Sequence, residues 1–304
     1  MKKIVIQKSG GGELANQLWN YASIYAYGLE TGAVVCNPAF FEYHSFFNFL
    51  PKESLPTRFV ARFFRTARRR AHVINRFWRF CVAISNNLIL SLHVSCTLSS
   101  QNASNTPVYL PPTGPLQKSS CETLYFSGWL FRNPEGLKKY RSELVRVFAP
   151  RKEIGTKVDD IVSPLRKNTS TLLGLHIRQG DYKVFKGGRY LISAQRMREL
   201  VEEYGAQHQL IPDNMQLLIT SDGPVDMGAF AGFKVYRSQE DAVTDLFLLS
   251  RCDAVIGSDS SFGNFAAWYG DTPHIVATKE PIDWEYYRGK QDYFENKYCT
   301  LVHF

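Results

Sequence analysis

Thr171-Leu172-Leu173-Gly174-Leu175-His176-Ile177-Arg178-Gln179-Gly180-Asp181-Tyr182 runs from an unbroken apolar stretch straight into a polar loop. An apolar run of that length, bounded by glycine and charge, reads as a strand over 171–177 buried on both faces, as in a parallel sheet. Alternate residues of a strand share a face, so His176 and Arg178 leave it on the same side, and Gly180 lets the chain turn sharply after them. A guanidinium fixed there can bind a phosphate through two parallel N–H bonds without a metal. The same arginine could instead pair with Asp181 to stabilise the loop.

Downstream, the pattern alternates. Ser193 to Tyr204 reads as a helix, Met215 to Thr220 as a strand ending in Ser221-Asp222, and Ala242 to Ser250 as a helix. Ala254 to Gly257 is a strand, Phe262 to Tyr269 a helix and His274 to Ala277 a last strand. Four strands with helices between them describe a doubly wound α/β sheet, whose ligands bind at the carboxyl edge of the strands. Ser258-Asp259-Ser260-Ser261-Phe262 opens one of those helices. The unpaired N–H groups of a first helical turn, with hydroxyls beside them, suit an anion, although Ser260 or Ser261 could equally be a plain N-cap.

Upstream, Lys3 to Gln7 reads as a strand, Gly10-Gly11-Gly12 as a loop, Leu14 to Leu29 as a helix and Ala33 to Cys36 as the next strand, a βαβ start. The glycines do not make a dinucleotide fingerprint, because Ala15 stands where the third glycine belongs. The loop brings Asn16 and Gln17 to a helix N-terminus. Ser95 to Ser120 reads as a loop and Pro134 to Phe148 as a helix stopped by Pro150, where a domain boundary is expected. That gives an N-terminal domain over 1–150 and a C-terminal domain over 151–304, in keeping with the tendency of cores to split near this size.

The 304 residues are 44% hydrophobic and 21% charged, with a net charge of +8. The eight arginines between Arg58 and Arg79, with no acidic residue among them, account for that whole surplus. They alternate with apolar residues at helical spacing, so 58–82 reads as a basic amphipathic insertion. Its charged face would lie against anionic lipid or simply be solvated. Its aromatics sit on the apolar stripe instead of alternating with the arginines, which argues against nucleic acid. Without a signal-peptide pattern or an apolar run long enough to span a bilayer, the expected location is cytoplasmic, peripheral on the inner face of the membrane if the arginines bind lipid. Six scattered cysteines signal neither zinc nor a disulfide framework.

Taken in order, three stretches resemble one family. Gly12-Glu13-Leu14-Ala15-Asn16-Gln17-Leu18-Trp19-Asn20-Tyr21-Ala22 is similar to the opening Gly-x-Leu-Gly-Asn-Gln-Met-x-x-Tyr-Ala of the α-1,2-fucosyltransferases, glycosyltransferase family 11. His176 to Tyr182 resembles that family's His-x-Arg-Arg-Gly-Asp-Tyr. Asp245 to Cys252, followed by Ser260-Ser261-Phe262 and Ala266-Ala267-Trp268, resembles its C-terminal signature. The matches are ordered over nearly the whole chain, the arginine-rich region and its loop excepted. Ala15, Gln179 and Gly263-Asn264-Phe265 depart from the pattern, which makes the chain a distant member and leaves the acceptor and the α-1,2 linkage open.

The resemblance implies a GT-B fold of two Rossmann-like domains with the donor cleft between them. It also implies inverting transfer of fucose from GDP-fucose to a glycan hydroxyl, in bacterial surface polysaccharide or lipid-linked oligosaccharide synthesis, with no metal and no cofactor. Asn16 would approach the donor from the first domain and Gln17 would lie beside it. Arg178 and the Ser260-Ser261 helix start would hold the β-phosphate, Phe262 would belong to the donor-binding residues, and His176 and Asp181 would orient Arg178 and the loop. Asp222 would read ribose or guanine, or cap a turn. Glu13 and Asp181 are the candidate bases, unless a donor phosphate oxygen takes the proton. Three rival readings are a transferase using another nucleotide sugar on the same fold, a non-catalytic nucleotide or glycan-binding protein, and a membrane-tethering scaffold built on the arginines.

Overall fold

A computed structural model of the chain describes residues 3–8, 12–40, 42–49, 80–81, 84, 97–99, 106–113, 123–167, 169–289 and 292–300. Gly10, Gly11 and the arginines of 58–79 lie outside the described residues. The chain divides into two compact units, Met1–Arg151 and Lys152–His303.

In the first unit, β1 (Lys3–Lys8), α1 (Leu14–Thr31) and β2 (Val34–Cys36) form the expected βαβ start. The sheet is larger than the sequence signals. Its order is β2-β1-β5-β3, all parallel, where β3 is Thr97–Ser99 and β5 is Thr123–Ser127. The stretch 95–120, read as loop, thus holds β3 and also β4 (Val108–Tyr109), which pairs with β6 (Phe131–Arg132). Strands of two or three residues carry too little periodicity to be seen without their partners. In β5, only Leu124 and Phe126 point into the core. The helix read over 134–148 is two, α2 (Pro134–Lys139) and α3 (Arg141–Val147), broken at Tyr140. The amide groups of Asn20 tie α1 to the far side of this unit. Its Nδ2 donates to Gly128 O at 3.2 Å, and its Oδ1 accepts from the Phe131 amide at 3.2 Å.

The second unit begins with α4 (Lys152–Arg166), which the sequence reading missed because only Val158 and Val162 of it are buried hydrophobics. Then follow β7 (Thr171–Ile177), α5 (Ala194–His208), β8 (Met215–Ser221), β9 (Lys234–Arg237), α6 (Ala242–Leu249), β10 (Ala254–Ser258), α7 (Ser261–Gly270) and β11 (His274–Ala277). The sheet has five strands, not four, in the order β11-β10-β7-β8-β9 and parallel throughout. The extra strand, β9, is a short edge whose side chains are only partly buried, and a single 3-10 turn at Met227–Phe230 precedes it in place of a helix.

Leu173, Leu175 and Ile177 of the central strand share a core with Met197, Leu200, Val201 and Tyr204 of α5. On the other face, a Cβ added to Gly174 would come within 2.8 Å of Leu249 Cδ2 and 3.0 Å of Cys252 Sγ, so glycine lets α6 settle close to the strand. Helix starts are signalled locally. Ser193 Oγ accepts from the Arg196 amide at 3.1 Å at the head of α5. Asp241 Oδ1 accepts from Val243 and Thr244 at 2.9 and 3.0 Å at the head of α6.

The end of α7 leans on the residue that follows α6, and a Cβ at Gly270 would collide with the Ser250 carbonyl oxygen and carbon. Backbone cannot move aside as a flexible side chain can, so Gly270→Ala should cost about 1–3 kcal/mol. Urea unfolding of parent and variant measures this, and a difference under about 0.5 kcal/mol would refute the close approach.

Candidate functional site

The sheet order puts a switch point in the second unit. The chain winds outward from β7 through β8 to β9, then returns to β10 on the opposite side of β7 and continues to β11. Loops leaving neighbouring strands in opposite directions open a crevice at their carboxyl ends, which is where ligands of such sheets bind. Here the two loops are Arg178–Tyr182 after β7 and Asp259–Ser260 after β10. They are joined directly: the Arg178 amide lies 3.4 Å from Ser258 Oγ, and Tyr182 Oη donates to Asp259 O at 2.6 Å.

Arg178 is clamped by two carboxylates. Its Nε and Nη2 each lie 3.0 Å from Asp181 Oδ1, and its Nε lies 3.2 Å from Asp222 Oδ2. The other oxygen of Asp222 accepts the amides of Gln179 at 2.6 Å and Gly180 at 3.1 Å. Asp222 therefore shapes the turn and the arginine together. A guanidinium has five N–H donors in a rigid fork, so carboxylates gripping its Nε side orient the plane that an anion would meet.

Beneath this clamp lies His176, 4% exposed, with its ring stacked on Phe262 at a centroid distance of 4.8 Å. Its Nδ1 faces Thr220 Oγ1 at 3.4 Å, while its Nε2 is buried without a hydrogen-bond partner. Burial and then the positive charge of Arg178 push its pKa down to about 4. The neighbouring His274 is pushed down to about 3, again by burial first and by His176 second. Gly263 sits between them, since a Cβ there would be 3.1 Å from His274 Nε2 and 3.8 Å from His176 Cδ2. Both imidazoles are neutral at physiological pH, which spares the fold a second cation below Arg178.

Ser260 occupies the N-cap position of α7 with extended backbone, yet its side chain makes no capping bond. Its Oγ is buried without a hydrogen-bond partner in a residue only 7% exposed. A capping serine would spend that hydroxyl on the helix; this one does not. Ser261 starts the helix, so its N–H group belongs to the unsatisfied first turn that favours an anion. Asp259, buried beside it, accepts from the Thr300 amide at 2.6 Å and from Thr300 Oγ1 at 2.9 Å.

The fold is GT-B. No protein-family model and no curated protein matches the sequence, but solved structures match over most of the chain. An Arabidopsis thaliana FUT1 mutant in complex with GDP aligns at 16% identity and a TM-score of 0.51, over 92% of this chain and 71% of that one. POFUT1 in complex with GDP-fucose aligns at 13% identity and a TM-score of 0.53, over 91% and 98%. NodZ alpha-1,6-fucosyltransferase soaked with GDP-fucose aligns at 15% identity and a TM-score of 0.51, over 88% and 93%. At such identities the likeness is one of architecture.

The sequence-derived candidates thus fall into two groups. His176, Arg178, Asp181, Asp222, Ser260, Ser261 and Phe262 come together in the second unit. Glu13, Asn16 and Gln17 belong to the first. There Glu13 is exposed at the N-cap of α1, and Gln17 Nε2 donates to Gly12 O at 3.2 Å. Gly12 has φ +79°, and a Cβ on it would strike the Asn16 side chain. Sequence reasoning missed the supporting parts: Thr220, His274, Asp259 as a carboxylate and Thr300. Only His274, a polar residue opening an apolar strand, carried any signal.

Buried neutral histidines make stability fall in acid. The unfolded chain binds a proton on each near pH 6.5 and the folded one only near 4 and 3, so unfolding gains protons as pH drops through that window. Each contributes a slope of about 1.4 kcal/mol per pH unit there. Asp245, pushed up to about 7 by burial, acts in the opposite sense by taking up its proton in the folded state. The test is therefore a difference. Urea unfolding of His274→Asn between pH 6.5 and 5 should lose less stability on acidification than the parent, and parallel curves would contradict a buried neutral His274.

Proposed function

We propose that this protein is an inverting glycosyltransferase that moves fucose from GDP-fucose to a glycan hydroxyl. The observation that carries this reading is a guanidinium oriented by two carboxylates beside a helix start whose buried serine hydroxyl is not spent on capping. Both elements stand in one compact unit at a switch point. The GDP and GDP-fucose bound in the structures of similar fold support the choice of donor.

In the reaction, the bond between fucose C1 and the β-phosphate oxygen breaks and its electron pair leaves with GDP. The acceptor oxygen bonds to C1 from the opposite face and loses its proton. Charge builds on the departing pyrophosphate in the transition state. Donors fixed there in advance need no reorganisation, and losing one typically slows turnover by about 100-fold to 1000-fold. Arg178 supplies the full charge, and Ser260 Oγ with the first N–H groups of α7 supplies dipoles. Asp181 and Asp222 act through Arg178, as positioning residues. His176, neutral and stacked on Phe262, holds the strand end against the helix start. In the same reading Asn16 and Gln17 bind donor, and Glu13 or a donor phosphate oxygen takes the acceptor proton. The α-1,2 linkage follows only from the sequence resemblance.

The deciding experiment incubates the full chain with GDP-fucose, with and without chelator, and follows GDP release with and without glycans. Arg178→Lys keeps the charge but loses the fork, so it should cut turnover about 100-fold or more with GDP still bound. Near-parental turnover in that variant would remove Arg178 from the role.

A further inference from the structure

The segment immediately after Arg178 and Asp181 is basic and aromatic. From Tyr182 to Gln195 it contains Lys183, Lys186 and Arg189 and no acidic residue. Tyr182 stacks on Phe185 at 5.8 Å between centroids and meets Tyr190 at 6.0 Å; Phe185 and Tyr190 are 6.0 Å apart. Lys186 Nζ lies 5.8 Å from the centroids of both Phe185 and Tyr190, and the Arg189 guanidinium lies 5.8 Å from Tyr190. Lys279 joins from the end of β11, donating to Gly188 O at 3.1 Å. None of these four cations forms an ion pair among the described residues.

Residues 183–187 are exposed while Tyr182 is buried and Tyr190 half-buried, and the loop is held in place. Val184 is 80% and Phe185 37% exposed. Lys186, Gly187 and Gly188 all have positive φ, at 46°, 67° and 74°. For lysine that conformation is strained and persists only where the surroundings enforce it. Below, Tyr190 Oη hydrogen-bonds Thr300 Oγ1 at 3.0 Å, and Thr300 and Tyr182 both bond Asp259, the residue before Ser260. Arg178 itself lies 5.5 Å from the Tyr182 ring. The cluster is therefore continuous with the proposed donor-phosphate site and faces outward from it.

We propose that residues 183–190 with Lys279 bind the acceptor and select a glycan bearing an acidic group, a carboxylate or phosphate, on or beside the accepting sugar. This rests on the donor reading above. Aromatic faces take the apolar face of a sugar ring, and lysine or arginine at their rim fits an anionic substituent. A neutral glycan would use the rings and leave the cations unmatched.

The test probes the full chain with saturating GDP against oligogalacturonates, their neutral methyl esters and unrelated neutral oligosaccharides on an array, followed by titration calorimetry. The acids should bind about 10-fold tighter than their esters, and Lys186→Asn with Arg189→Gln should erase about 10-fold of that affinity, as two partly exposed ion pairs would. Asparagine tolerates the left-handed backbone at 186, so the loop should keep its shape; GDP affinity of the double variant checks that. Equal binding of acids and esters, no binding of any acid, or affinity unmoved by the double substitution would overturn the proposal. So would binding to phosphatidylglycerol vesicles that the substitutions abolish while glycan affinity stands, since the patch would then be a lipid contact. If the parent binds no GDP-fucose, the donor reading falls and takes this one with it. If it binds GDP-fucose but shows no preference for acids, only the acceptor assignment falls.

Discussion

The guanidinium of Arg178, gripped by Asp181 and Asp222 at the end of the central strand, is the interaction on which the arrangement at the second unit's switch point depends. An unclamped arginine on a loop would lose much of its rotamer freedom on meeting an anion. Here that ordering is done by the fold, and the same Asp222 that orients the side chain also closes the Gln179-Gly180 turn. The cost lies beneath. His176 and His274 bury ring nitrogens with no hydrogen-bond partner, each a penalty of about 1–3 kcal/mol. Protonating either would solvate nothing and would add a like charge under Arg178, so neutrality is the cheaper state.

The switch point explains why these groups are neighbours at all. β7 and β10 are adjacent in the sheet but separated by α5, β8, β9 and α6 in the chain, so the loop carrying Arg178 and the helix start carrying Ser260 meet only when the sheet assembles. Their direct bonds, through Ser258 Oγ and Asp259 O, fix the spacing between a full positive charge and a set of helix dipoles. In the proposed reaction, such preorganised groups would need little closure to stabilise a departing diphosphate. The basic aromatic loop extends the same frame outward, because Asp259 and Thr300 anchor both.

Legibility followed signal strength. The strands β7, β8, β10 and β11 are continuous apolar runs, and their helices open on Ser193, Asp241 and Ser260, so both types and approximate bounds could be read. Edge strand β9, the short β3 and β4, and α4 with two buried valines carry weak periodicity, and each exists because a neighbour covers it. The second-unit candidates stood out in the sequence because they are polar residues at the ends of apolar strands, where ligands of such sheets bind. The supports, Thr220, His274 and Thr300, sit at unremarkable sequence positions.

The amino-acid sequence by itself determined four of the second unit's five strands, the helices between them, and the presence of an arginine and a serine-rich helix start at strand ends, because period and capping are local properties. Only the tertiary structure decided that Asp222 and Asp181 share one guanidinium, that Ser260 withholds its hydroxyl from its helix, and that two histidines distant in sequence lie together uncharged. Those facts depend on strand order and on the close approach at Gly263, and neither can be computed from neighbours along the chain.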